Sequence, residues 1–125
     1  METGFAEQLA KRAHLCYLTQ MWKIERLQLP TGDEPFKIWV EQLDLSSRAR
    51  IYAYIDRVAA GGAKRNIKSL GDGVFEVKVD VGPGYRVYFG ELDGRIILLL
   101  VGGDKKSQRR DIKTAKHYWS EYVQK

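Results

Sequence analysis

Hydrophobic positions recur along this chain with two periods. Phe36, Trp39, Val40 and Leu43 stand at i, i+3, i+4 and i+7, and Ile51, Tyr54, Ile55 and Val58 repeat that spacing, the apolar stripe of an amphipathic helix. Glu34-Pro35 is read as the start of the first helix, because proline is tolerated at the first helical residue. Ser46 or Ser47 is expected to cap the second helix and Gly61-Gly62 to stop it. Two short helices with a tight link predict an antiparallel hairpin, and each stripe needs a sheet to bury it.

The period then changes to two. Between 74 and 81, Phe75, Val77, Val79 and Val81 fall on one face and Glu76, Lys78 and Asp80 on the other. Gly82-Pro83-Gly84 turns the chain into a strand in which Tyr85, Val87 and Phe89 alternate with Arg86 and Tyr88. Asp93-Gly94 is a hairpin signal, and the unbroken run Ile96-Ile97-Leu98-Leu99-Leu100-Val101 reads as a central strand covered on both sides. Earlier in the chain Trp22, Ile24, Leu27 and Leu29 alternate imperfectly as a strand, ended by Pro30 and the turn-rich Thr31-Gly32-Asp33. A polar loop over 102–106 leads to a last helix, with Ser107 as its expected cap and Ile112, Ala115, Trp119, Tyr122 and Val123 as its stripe. The predicted order is β-α-α-β-β-β-α, an α+β domain. Phe5, Leu9, Ala13 and Cys16 make only a thin stripe. Residues 1–20 are therefore expected as an N-terminal extension, a peripheral helix or flexible arm, ahead of a single domain over 21–125. Met21 offers a second start that would leave them untranslated.

A chain of 125 residues accommodates one core. Cys16 is the single cysteine and there are two histidines, so neither an intramolecular disulfide nor a zinc-ligand cluster is expected, and no cofactor or metal is called for. The longest apolar run has six residues, against the ~20 that a membrane helix needs. No long apolar stretch follows Lys11 and Arg12, as a secretory signal would require. A protein of the reducing cytoplasm, with no membrane partner, is expected. The net charge is +5, and its distribution says more than its size. Residues 1–63 hold eight basic and eight acidic side chains, whereas 64–116 hold twelve basic and seven acidic. The excess lies in the second half, as a surface facing phosphates would place it.

The string Leu70-Gly71-Asp72-Gly73-Val74-Phe75-Glu76-Val77-Lys78, then Gly82-Pro83-Gly84-Tyr85-Arg86-Val87-Tyr88-Phe89, Leu98-Leu99-Leu100-Val101-Gly102-Gly103-Asp104-Lys105, Gln108, Asp111-Ile112 and Ala115-Lys116 resembles the HigB-like "addiction module killer" branch of the RelE/ParE toxin superfamily. Pro35-Phe36 and Trp39 before the helical hairpin fit the same pattern, and the likeness runs from about Met21 to Tyr122. The resemblance implies a RelE-like fold and the toxin half of a bacterial type II toxin–antitoxin pair. Its partner would be a cognate, HigA-like antitoxin with a helix-turn-helix domain and an acidic segment. RelE-like and HigB-like members cut mRNA, usually on the ribosome, while ParE-like members share the fold and inhibit DNA gyrase, so fold alone does not choose. A ribosome-dependent mRNA interferase is the expectation; a gyrase inhibitor and a catalytically decayed RNA-binding module are the alternatives.

RNA cleavage by an internal 2′-hydroxyl needs that hydroxyl deprotonated, the phosphorane charge stabilised and the leaving 5′-oxygen protonated. Arg86, matching the family's Gly-Tyr-Arg, is expected to clamp phosphate oxygens from a polar strand face, alone or while pairing with Glu76 across the strands. Lys78 is the next cation on that face. Lys105, Lys106, Arg109 and Lys68 are expected to contact RNA. Gly102–Ile112 contains neither the Tyr nor the His that RelE-type nucleases commonly carry there. The general base is therefore open among Tyr88, Glu76, Asp104 and His117. Gly102-Gly103-Asp104-Lys105 lacks the spacer and the Lys-Ser/Thr ending of a P-loop. Trp39, Trp119 and Tyr122 lie on helical stripes and are assigned to the core.

Overall fold

The computed structural model describes residues 22–124. The extension expected over 1–20 and the alternative start at Met21 lie outside them. Strand β1 (Lys23–Arg26) is followed by helices α1 (Pro35–Glu41) and α2 (Leu45–Ala59), a short 3-10 turn (Lys64–Asn66), strands β2 (Ile67–Gly71), β3 (Val74–Val79), β4 (Tyr85–Leu92) and β5 (Ile96–Gly103), and helix α3 (Gln108–Val123). The five strands form one sheet in the order β1-β5-β4-β3-β2. β1 runs parallel to β5, and every other pair is antiparallel. The α+β architecture is the expected one, with one strand added.

That strand, β2, pairs Ile67, Lys68 and Ser69 with Val77, Glu76 and Phe75. Its link to β3 is Asp72-Gly73, both at positive φ, the backbone that a type I′ hairpin turn requires. Asp93 and Gly94, also at positive φ, turn β4 into β5 in the same way.

Capping departs from expectation at two helices. Asp44, not Ser46 or Ser47, caps α2: its Oδ2 accepts from the Ser47 backbone N–H at 3.1 Å and its Oδ1 from Ser47 Oγ at 2.7 Å. A carboxylate reaches two donors of the first turn where a serine reaches one. Ser107 stands at the start of α3 but makes no cap bond. Its Oγ instead donates to the buried Asp111 carboxylate, and Asp104 N–H donates to it at 3.2 Å. Pro35 opens α1 and the α2 stop falls just before Gly61-Gly62, as predicted.

Each sheet face carries its own helical layer. On one, Phe36, Val40, Ile51, Ile55 and Val58 from α1 and α2 pack on Val77, Val79, Val87, Phe89, Ile97 and Leu99. On the other, Ala115 and Trp119 of α3 pack on Val74, Tyr88, Leu98 and Leu100. β5 is thus buried on both sides, as its unbroken apolar run predicted. The helices approach closely enough that glycine is required beneath the indoles: a Cβ on Gly102 would overlap the Trp39 ring, and one on Gly90 the Trp119 ring.

Candidate functional site

The antiparallel register of β3 and β4 sets Lys78 opposite Arg86 and Glu76 opposite Tyr88. Cross-strand partners share a face, so all four lie on the α3 side of the sheet. Sequence alternation placed them together correctly but exposed them to solvent, and the structure corrects that. α3 runs over this face, and the side chains of Arg86 and Glu76 keep only 9% and 7% of their exposure. Tyr88 keeps none.

Arg86 reaches out of this layer at one end. Its Nη1 donates to the Gly84 carbonyl at 2.9 Å, which the positive φ of Gly84 presents. Its Nε stands 3.8 Å from Glu76 Oε2 and has no hydrogen-bond partner among the described residues. The same Glu76 oxygen accepts from Gln108 Nε2 at 2.9 Å, so the first turn of α3 steadies the carboxylate that faces Arg86. Burial, and next the neighbouring Glu76 charge, hold the Tyr88 hydroxyl far above the ordinary tyrosine range. Its oxygen is buried without a hydrogen-bond partner among the described residues.

Where β3 and β4 meet the loop after β5, a cleft of about 410 Å³ opens. Lys78, Arg86, Lys105 and Asp80 line it, with the Gly82-Pro83-Gly84 turn as one wall. Lys78 is half exposed and stands 3.9 Å from Asp80. Asn66 Nδ2 donates both to the Lys78 carbonyl at 2.9 Å and to Asp80 Oδ2 at 3.0 Å, which ties the turn before β2 to the cleft. The structure thus gathers three of the expected cations, Lys78, Arg86 and Lys105. It does not bring in Lys106, which lines a neighbouring cleft with Asp104 and Arg110. Arg109 is exposed on α3, and Lys68 on the edge strand β2, opposite Glu76. His117 is exposed on α3, 3.6 Å from Glu121. The Ser107 backbone N–H, donating to its carboxylate, holds Asp104 below the ordinary aspartate value.

Two members of this site were not singled out from the sequence. Asp80 follows Glu76 and Lys78 in the same alternation, which is the signal that points to it. Gln108 belongs to the pattern of the resemblance, but its contact with Glu76 depends on where α3 lands.

The fold and cleft define a small α+β protein that presents clustered cations where two strands meet the loop after a third. The family model "Phage derived protein Gp49-like (DUF891)" matches residues 38–120, from α1 through most of α3, and the chain belongs to this family. It is also similar to a Haemophilus influenzae protein described as "Uncharacterized protein", with 45% identity over 82 residues, covering 65% of this chain and 82% of that one. Among the described residues no helix is long and apolar enough to cross a membrane.

Proposed function

We propose that this chain is the toxin of a type II toxin–antitoxin pair, RelE-like and of the HigB-like kind, and that it cleaves mRNA on the ribosome. Its antitoxin carries a HigA-like helix-turn-helix domain and covers the basic cleft with an acidic segment. Membership of the Gp49-like family supports the toxin reading. The observation that carries the nuclease reading is the meeting of Lys78, Arg86 and Lys105 around one open cleft with a carboxylate, Asp80, among them.

In this reading the scissile phosphate lies between Lys78 and Arg86. The ribose 2′-oxygen attacks phosphorus as its proton passes to Asp80. The P–O5′ bond breaks as Lys78 or Lys105 protonates the leaving oxygen, giving a 2′,3′-cyclic phosphate and a 5′-hydroxyl. The Arg86 guanidinium stabilises the phosphorane, an effect of about 3–4 kcal/mol for one well-placed donor. Glu76 and Tyr88 serve from behind: the carboxylate orients Arg86, and the sequestered phenol stays protonated and out of the proton transfers.

A coupled translation system tests this. Added protein is expected to leave mRNA fragments ending in 2′,3′-cyclic phosphate within ribosome-covered codons, while a parallel supercoiling assay shows gyrase unaffected. Intact mRNA with inhibited supercoiling would overturn the nuclease reading in favour of a ParE-like toxin.

A further inference from the structure

The second cleft, also about 410 Å³, lies beside the first and shares its loop: Lys105 lines one and Lys106 the other. The two meet at the end of β5, where Gly103 is the register partner of Arg86. Gly102 and Gly103 face opposite sides of the sheet there. A Cβ on Gly102 would strike the Trp39 indole from α1, and one on Gly103 the Asp111 carboxylate from α3. An aromatic ring and an acid therefore flank the same strand end, and both line the cleft. Trp39 is only partly buried, so the ring assigned from sequence to the core also forms a wall.

We propose that this cleft seats one unpaired guanine beside the phosphate held by Lys78, Arg86 and Lys105. The inference rests on the ribonuclease reading above and names the base that its site would select. Single-stranded RNA is recognised by stacking bases on aromatic or guanidinium planes and by bonding their exposed edges, and Trp39 and Arg110 both line the cleft. The edge-reading group is Asp111. Its side chain is nine-tenths buried and its Oδ2 accepts from Ser107 Oγ. Its Oδ1 has no hydrogen-bond partner among the described residues, and its nearest cation, the largely exposed Arg110, stands 3.9 Å away. Asp111 lines the open cleft, and a carboxylate oxygen there without a protein donor is the kind of group that a ligand N–H satisfies.

The chemistry selects among the bases. Asp111 and the neighbouring Asp104 are the acids that line the cleft, and a carboxylate can only accept hydrogen bonds. Adenine, cytosine and uracil each present a ring or carbonyl acceptor next to their donor, and a carboxylate repels it. Guanine alone offers two adjacent donors, N1–H and the 2-amino group, which a carboxylate can accept side by side.

The test titrates the full chain with the 3′,5′-bisphosphates of guanosine, adenosine, cytidine and uridine, read by quenching of tryptophan fluorescence. The guanosine compound is expected to bind about tenfold or more tightly than each of the others, the discrimination of a bidentate base contact. The inosine analogue, lacking the 2-amino group, is expected to fall between. Asp111→Asn should erase the guanine preference and leave a weak, salt-sensitive affinity shared by all four. Equal affinities in the unaltered chain would overturn the proposal, whether or not the variant folds. A guanine preference that survives Asp111→Asn in a folded protein would overturn it too. Equal, salt-sensitive binding alongside mRNA cleavage would remove the base site and leave the nuclease reading standing. No binding together with intact mRNA would remove both.

Discussion

The sheet face beneath the α1–α2 hairpin buries no charged side chain among the described residues, whereas the face beneath α3 buries Glu76, Arg86 and Asp111. The first layer is joined by nondirectional apolar contact, which tolerates any shape-compatible repacking. The second has an apolar half built on Val74, Leu98, Leu100, Ala115 and Trp119, and a polar half in which Gln108, Glu76 and Arg86 depend on one another. A buried polar group stabilises only while its partners are present, so the second layer is sensitive to single changes. At the polar end of the α3 layer a buried cation, Arg86, also lines an open cleft. Stability thus rests chiefly on the hairpin side and chemistry on the α3 side.

The largest expected effect sits on the hairpin side. Phe36 is wholly buried, and Phe36→Ala should cost about 3–5 kcal/mol in urea unfolding, while the fraction that remains folded binds RNA normally. Weaker RNA binding by that folded fraction would mean that the two faces are coupled.

Glu76→Ala should be nearly as damaging, about 3–5 kcal/mol, because it leaves the Arg86 charge buried and unpaired. The instructive variant is the double replacement Glu76→Leu with Arg86→Met, which should recover most of that stability and remain unable to cut RNA. A double variant as unstable as the single one would show that the ion pair builds the fold. Arg86→Ala alone is the poorer probe. An exposed pair would lose on the order of 1 kcal/mol or less, but burial of both partners makes this substitution a stability change as well as a change of site.

Lys78→Ala separates the two properties more cleanly. The side chain is half exposed, so melting should move by less than about 0.5 kcal/mol in stability, while mRNA cleavage falls about a hundredfold. Full activity would remove Lys78 from the site.

Tyr88 makes the α3 side sensitive to alkaline pH. Its hydroxyl is raised above the ordinary value in the folded state, so its contribution is fully present below about pH 10, the unfolded tyrosine pKa. Above that the unfolded chain loses a proton that the native one keeps, and stability should fall by up to ~1.4 kcal/mol per pH unit. Tyr88→Phe should remove that part of the alkaline loss and change neutral stability by about 1 kcal/mol or less, since the hydroxyl has no partner to forfeit. An unchanged alkaline slope would mean that the phenol is hydrated. The smallest effect is expected at the periphery. Arg109→Ala and Lys68→Ala should each lower the salt slope of single-stranded RNA binding by about 0.7 if they touch phosphate, whereas Arg57→Ala, on the hairpin side, should leave it unchanged.

Much of this organisation is written locally. The 3.6-residue spacing of Phe36, Val40, Ile51, Ile55 and Val58, the alternation of Phe75, Val77 and Val79, and the unbroken run of β5 each specify an element and its buried side. β2 is not legible by the same means, because Ile67–Gly71 is a short edge strand whose half-buried residues, Ile67 and Leu70, are spaced by three rather than two. Its Asp72-Gly73 turn is the same dipeptide as Asp93-Gly94, but the flanking alternation was too weak to give it meaning. The cap of α2 is not legible for a related reason: serine and aspartate both cap, and only the position of the Ser47 donors selects Asp44.

By itself the sequence determined the order of every element except β2, the two-sided burial of β5, and the shared face of Glu76, Lys78, Arg86 and Tyr88, because these follow from backbone periodicity. Tertiary structure alone decided what that shared face means. The stripe on α3 needed a sheet surface, and the free one already carried these polar groups, so Arg86, Glu76 and Tyr88 became interior while Lys78 stayed at the rim. Which of the twelve cations of residues 64–116 would meet was likewise outside the reach of periodicity. Lys78, Arg86 and Lys105 come from three separate segments, and only strand register and the path of the loop after β5 set how far apart their charges lie.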